Sequence, residues 1–570
     1  MNSPRNLLLL ALLFISYLLW MEWQRDYGQL TPAPSSAPTS QAANGAPVDD
    51  VPAAPAIPAE PSTSASTPEP ALPAPPGVEA PPGGPAHVVV TTDVLRVEID
   101  PRGGNVVVAD LTDYPADTGD SVPVRLFDDR PATFFEAQSG LVSATGAAPD
   151  HQATFTAAHT SYQLGSGADT LEVPLTWTDP SGISVRKVFV FTRGSYVIEQ
   201  HQEISNHSGQ AWVGNAYRQL QRVPPVLDTA GIKGYANTAR YSFTGAAIYS
   251  PQDKFEKLKF DNFASEPLDK SFAGGWAAML QHYFVAAWIP PAAEVDQYVT
   301  KALSVDGAYR YLIRTLSPPI QVAAGESGTA SARLYVGPKL QSALAATAPG
   351  LQLTVDYGML TVISEPLHWV LSQFHKLTGN WGFAIILLVL LIKALFFKLS
   401  EAQYRSMAKM RKLQPRIAAL KERYGDDRQK MNTAMMELYK KEKANPLAGC
   451  LPMLIQIPVF FALYWVLLES VELRQAPFIG WIHNLTAPDP YYVLPVLNGL
   501  IMVATQFLTP MAGMDPMQAR MMKVMPVIFA VVFAFFPAGL VLYYTVNGGL
   551  SLAQQWIITR RIERGDKARA

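Results

Sequence analysis

Residues 387–397 read LLVLLIKALFF: ten side chains suited to hydrocarbon and one ammonium, Lys393. A lysine inside such a run either reaches back to the water interface on its own stem or is held inside the membrane for use. Lys393 lies about four residues from the end of its apolar segment, roughly 6–7 Å by helical rise, which a lysine stem can cover. Spacing alone leaves both readings open, so the rest of the chain has to decide.

That stretch belongs to one of five apolar segments in the C-terminal part of the chain, at about 380–398, 449–468, 491–509, 522–537 and 538–558. A sixth, NLLLLALLFISYLLWMEWQ at 6–24, follows Arg5 and ends in Trp20, Met21, Glu22 and Trp23. An aromatic edge suits the headgroup layer and lacks the small residues of a signal-cleavage site, so 1–25 is expected to stay as a membrane anchor. The expected class is therefore a polytopic α-helical membrane protein with six transmembrane helices. Lysine and arginine number thirteen over 398–443 and five from 560 onward, against Arg474 alone in 471–490. The positive-inside rule then puts 399–448, both termini and the basic tail 561–570 in the cytoplasm. As a helix, 522–537 is only ~24 Å long against ~30 Å of hydrocarbon, so 522–558 reads either as two spans or as a re-entrant hairpin.

Between anchor and spans the composition changes twice. Residues 26–86 form a Pro/Ala-rich stretch, and 31–86 hold sixteen prolines and no aromatic, lysine or arginine. Such a segment buries too little apolar surface to order itself and reads as a disordered tether. From 87 to 350 short alternating runs take over, such as ISVRKVFVF at 183–191 after DPSG at 179–182, and YVIEQHQEI at 196–204 before NHSG at 206–209. Repeated short strands over ~250 residues point to one large antiparallel sandwich outside the cytoplasm. In 355–378, Leu360, Ile363, Leu367, Val370, Leu371 and Phe374 recur at helical spacing with Ser364, His368, Ser372 and His375 opposite. This predicts an amphipathic helix lying in the interface or packed on the sandwich.

Several classes of chemistry are excluded. The chain of 570 residues has a formal charge of −2 and one cysteine, Cys450, which rules out an internal disulfide or a thiolate metal cluster. No phosphate-binding G-x-x-x-x-G-K-[ST] loop or zinc-binding H-E-x-x-H occurs, and no catalytic set of carboxylates stands out, so neither an enzyme nor a cofactor is expected. The spans do carry polar residues: Gln456, then Asn498, Thr505 and Gln506, then Tyr543, Tyr544, Thr545 and Asn547. Each singly reads as packing glue, whereas together with a buried cation they imply a wet cavity. The loop 399–448 reads as a basic helical hairpin, with Leu413, Ile417, Leu420 and Tyr424 facing Met431, Met435 and Leu438. Its charge suits ribosomal RNA or anionic headgroups, or simple solvation and orientation. PMAGMDPMQARMMKVM at 510–525 carries six of the seventeen methionines, fit for adaptable apolar contact or for core filling.

The segments at 379–410, 445–495 (from NPLAGCLPMLIQIPVFFALYW) and 525–544 (MPVIFAVVFAFFPAGLVLYY) resemble the YidC/Oxa1/Alb3 family of membrane protein insertases. The anchor, tether and outer domain resemble its Gram-negative form. The resemblance implies a five-helix core around a hydrophilic groove open to cytoplasm and lipid, and a periplasmic β-supersandwich. Lys393 occupies the place of the groove's positive residue, usually arginine; lysine keeps the charge and loses the bidentate fork. Tyr544 aligns with a groove tyrosine, and Phe460 and Phe536 with apolar positions on the client's exit path. The resulting candidate groove is Lys393, Gln456, Phe460, Phe536, Tyr543, Tyr544 and Asn547. The implied partners are nascent membrane proteins, the Sec translocon and its accessory subunits, the ribosome through hairpin and tail, and the bilayer of the inner membrane. Two other readings fit the polar spans. A transporter or channel predicts solute flux and an inverted repeat, and an anchored periplasmic ligand-binding protein predicts loss of function on deleting about 90–320.

Overall fold

The computed structural model describes residues 50–53, 86–117, 119, 121–225, 242–305, 307–425, 427–442, 451–508 and 516–567. The anchor at 1–25, most of the tether, Cys450, the stretch 509–515 and the last three residues lie outside them.

Among the described residues, Val88 to Pro338 form an eleven-stranded and a nine-stranded sheet, antiparallel except where Val88–Thr91 pairs parallel with Ser161–Gln163. The alternating run at 183–191 falls in strand Ile183–Thr192, paired with Thr170–Thr178 and Val197–Asn206. The turn before it closes as the sequence implies: Gly182 sits at φ +92°, its N–H donates to Asp179 O at 3.1 Å, and Asp179 Oδ1 accepts from Ser181 N at 2.8 Å. Val173, Phe189, Ile198 and Leu334 of the smaller sheet share one core with Val97, Val106, Phe127 and Leu220 of the larger. One residue breaks the pattern. Lys187 points inward, fully buried, and its Nζ donates to Gly103 O (2.6 Å), Ser139 O (2.8 Å) and Ser139 Oγ (3.2 Å). Burial pulls this ammonium down to about 7.

The helices that follow are α1 (Gln341–Thr347), α2 (Thr361–Thr378), α3 (Trp381–Leu395), α4 (Phe397–Tyr424), α5 (Arg428–Lys441), α6 (Leu451–Glu469), α7 (Val493–Leu508), α8 (Pro516–Phe533) and α9 (Ala538–Lys567). Asn380 starts α3 by accepting from Gly382 N (2.9 Å) and Phe383 N (3.2 Å), while its Nδ2 donates to Phe478 O (2.9 Å). Gly382 allows the approach: a Cβ there would lie 1.9 Å from the Phe478 ring. In the basic hairpin, Leu413 and Ile417 pack with Met410, Met435, Leu438 and Tyr439, and Arg416 pairs with Glu442 at 2.5 Å. As one index rises the other falls, so α4 and α5 run antiparallel.

Helix α2 packs its predicted apolar stripe inward, with Leu371 in the core and Leu367, Val370 and Phe374 against it, and buries Ser364 and His368 beside that stripe. Ser364 Oγ donates to Ala462 O of α6 at 3.2 Å, and His368 Nε2 lies 3.7 Å from Glu472 Oε1. The expected spans are not matched helix by helix. Among the described residues no single helix is long and apolar enough to cross a membrane; only α3 with Phe397–Met410 passes by length and composition, as a pair bent by 65°. The apolar parts of α6, α7 and α8 are short (Gln456–Glu469, Val493–Phe507, Lys523–Phe533), and α9 is diluted by Tyr543, Tyr544, Asn547 and Ser551 along its length.

The sandwich meets the helical part through polar contacts, two of them buried. Ser242 Oγ donates to Glu469 Oε2 (3.1 Å), His282 Nε2 to Leu468 O (3.0 Å), and Arg474 Nη2 to Ala116 O (2.8 Å). Burial and the charge of Lys339 hold His282 down to about 3, so it is neutral although Glu469 Oε1 is 4.0 Å away. The unfolded chain takes up a proton near pH 6.5 that the folded site refuses. This contribution is therefore complete above that pH and is lost as pH falls toward 3, by up to about 2 kcal/mol between pH 7 and 5. The melting temperature in detergent is expected to fall over that interval, and His282→Gln, which keeps an N–H for Leu468, is expected to flatten the slope; equal slopes would disprove the assignment.

Candidate functional site

Helix α3 has one buried face, formed by Ile385, Leu388, Val389, Ile392 and Lys393, while Leu390, Leu391 and Leu395 point outward. Lys393 is 8% exposed against 72% for Leu395 two residues on, so its side chain faces neighbouring helices. Its Nζ donates to Ser551 Oγ at 2.6 Å. Ser551 Oγ donates to Asn547 O at 2.7 Å, and Asn547 Oδ1 accepts from Gln456 Nε2 at 3.4 Å. One polar path thus joins α3, α9 and α6. Beside it stands an aromatic wall. The Phe460 ring lies 4.9 Å from Tyr544 and 6.2 Å from Tyr543, Tyr544 lies 4.6 Å from Phe533, and Phe533 lies 5.9 Å from Phe536.

The seven residues singled out from the sequence therefore fall into two adjoining groups: Lys393, Gln456 and Asn547 on the polar path, and Phe460, Phe536, Tyr543 and Tyr544 along the wall. Ser551 and Phe533 complete them and were not singled out. Ser551 carried a signal, since Tyr543, Asn547 and Ser551 recur every four residues and share one face of α9. Other polar residues of these helices are used elsewhere. Thr505 and Thr545 donate to the carbonyls of Ile501 and Val541, each at 2.8 Å, and buried Asn498 lies where α7 packs on Gly548 of α9. These are packing contacts.

An ammonium has three donors, and Ser551 takes one from Lys393. Among the described residues no acidic side chain pairs with Lys393, so it remains able to receive a carboxylate. Among the same residues no group of three or more His, Cys, Asp or Glu is placed to hold a metal ion.

Residues 87–370 match the family described as "YidC periplasmic domain" and 373–566 the one described as "60Kd inner membrane protein". The chain is 47% identical to "Membrane protein insertase YidC" of Thioalkalivibrio sulfidiphilus over 100% of both proteins. It is 47% identical to the protein of that name from Nitrosococcus oceani, over 99% of this chain and 100% of that one. A solved structure described as "Active YidC insertase crystal structure with the first transmembrane domain resolved" covers 83% of this chain and 92% of its own at 18% identity, with a TM-score of 0.36. The full-length relatives set insertion above the transport and ligand-binding readings.

The α3–α9 contact can be checked directly. With Cys450→Ser as background, Lys393→Cys with Ser551→Cys is expected to be joined by a short bis-thiosulfonate, and Leu395→Cys with Ser551→Cys is not. Mass spectrometry of the cross-linked peptides reads the result, and equal yields would remove the contact.

Proposed function

Because the chain belongs to the YidC family of membrane protein insertases, acting on client membrane proteins at the inner membrane, we propose that Lys393, Gln456 and Asn547, with Ser551, form the polar floor of the groove through which those clients enter. Phe460, Phe536, Tyr543 and Tyr544 line the side by which the client's apolar helix leaves. The chain crosses the membrane six times: by 1–25, by the bent pair of α3 and the start of α4, and by α6, α7, α8 and α9. Both termini and the α4–α5 hairpin are cytoplasmic, and the sandwich is periplasmic. Support for this comes from the lysine and arginine bias and from exposed apolar side chains along the helices, among them Leu395, Leu500, Phe507, Val527 and Val531. The basic hairpin and tail receive ribosomes, and the membrane body works beside the Sec translocon as well as alone.

Moving a polar loop through hydrocarbon costs several kcal/mol for each unsatisfied group. A wet recess partway across shortens the dry distance, and a fixed cation lowers the cost of a passing carboxylate. A unit charge pair at 4 Å is worth about 4 kcal/mol at an effective dielectric constant of 20. Transfer of the client's apolar helix into lipid then supplies the driving force without nucleotide hydrolysis. Short helices serve this design, since a thin or locally thinned bilayer is easier for polar groups to cross.

The observation that carries the reading is the buried ammonium of Lys393, which among the described residues bonds Ser551 and no acidic side chain. Purified protein in liposomes, given a single-span client with an acidic translocated end, is expected to lose at least about tenfold in initial insertion rate on Lys393→Glu and to keep it on Lys393→Arg. Protease protection of the translocated end gives the rate, and unchanged insertion by a folded Lys393→Glu protein would take the charge out of the mechanism.

A further inference from the structure

The larger sheet has a core face, carrying Ala137, Leu220 and Ile313, and an opposite face that is polar. On the polar face Arg314, Gln219 and Gln138 are partners in register across three strands. Arg314 Nε donates to Gln219 Oε1 (2.7 Å), Gln219 Nε2 to Gln138 Oε1 (2.7 Å), and Gln138 Nε2 to Glu136 Oε2 (3.1 Å). All four are buried, as are Tyr217 and His151 at the end of the row. The Tyr217 hydroxyl accepts from His151 N at 2.9 Å and lies 2.6 Å from His151 Nδ1, which fixes the ring.

A short piece of chain lies there. Asp50, far ahead of the first strand, places Oδ2 3.1 Å from His151 Nε2, and its Oδ1 accepts from Gln152 Nε2 at 3.3 Å. A carboxylate only accepts, so Nε2 carries the hydrogen whichever charge state the imidazole holds. The Asp50 carbonyl accepts from Arg314 Nη2. Burial raises the Asp50 carboxyl, but the His151 bond and the charges of His151 and Arg314 outweigh it and hold the group below its ordinary range. Pro52 fixes its own φ two residues on and lowers the entropy lost on docking.

We propose that the His151–Tyr217–Arg314 end of this face is a docking site for an acidic peptide, and that the chain's own Asp50–Ala53 is its resident occupant. The site reads one carboxylate and the carbonyl of the same residue.

The test uses the full chain in nanodiscs, with Cys450→Ser and spin labels on cysteines at exposed Ala53 and Thr154. Each label is three residues from a contacting residue, so docking keeps the pair within about 30 Å in a narrow distance distribution. Asp50→Ala and the isosteric Asp50→Asn are both expected to broaden and lengthen it. A fluorescent peptide PVDDVPAAP (47–55) added to unlabelled Asp50→Ala protein is expected to bind saturably, and at least tenfold more weakly when its second aspartate is asparagine. A broad distribution in the parent, a narrow one that survives both substitutions, or equal binding of the two peptides would each overturn the assignment.

Discussion

An ammonium group removed from water has to be surrounded by acceptors or left ready to meet one. Lys393 donates to one acceptor among the described residues, Ser551, and the packing of α3 against α9 goes with that contact. To bond Ser551 it must lie on the face of α3 that packs against α9, which requires α3 to begin at Asn380 and to approach Phe478 closely at Gly382. To receive it, α9 must place Asn547 and Ser551 one turn apart on the facing side. The polarity that completes the site is what weakens α9 as a free-standing apolar helix. In hydrocarbon those groups are satisfied by their neighbours, so the helices depend on one another.

Lys187 and Lys393 are buried lysines with different partners. Lys187 is fully buried and has three protein acceptors, the carbonyl of Gly103 in a turn and the carbonyl and hydroxyl of Ser139 in a strand. It has no donor to spare, and its role ends with closing the sandwich. Lys393 is nearly as buried but has, among the described residues, one hydrogen-bond acceptor, the Ser551 hydroxyl. Burial makes either lysine costly, and the number and rigidity of its partners decide whether that cost brings stability or a waiting site.

The helices bury polar groups and expose large apolar ones side by side. Ser364 and His368 of α2 face in while Val362 and Trp369 face outward, and α7 and α8 expose Leu500, Phe507, Val527 and Val531. Where lipid is the solvent, polar groups go to the protein interior because only there do they find partners. At the boundary with the sandwich, Ser242, His282 and Arg474 each donate to an acceptor across the junction.

Much of this was legible in residue order. Alternation with period two and the DPSG turn specify strands, because each side chain's face follows from parity alone. Asn380 before an apolar run and Asp427 in the hairpin turn specify helix starts, because a cap acts within one turn. Lys393 stands out because a charge in hydrocarbon demands an explanation. The partners of these groups were not legible. Ser551 is separated from Lys393 by the hairpin and three further helices, α6, α7 and α8, and Asp50 lies in a stretch whose composition marks no position in particular. The burial of Ser364 and His368 depended on a carbonyl at Ala462 and an acid at Glu472, which no helical period can reveal. Local physics, acting over a few residues, was determined by the sequence itself. Which distant donor meets which acceptor was decided by tertiary packing, since hydrogen bonds depend on distance in space and not along the chain.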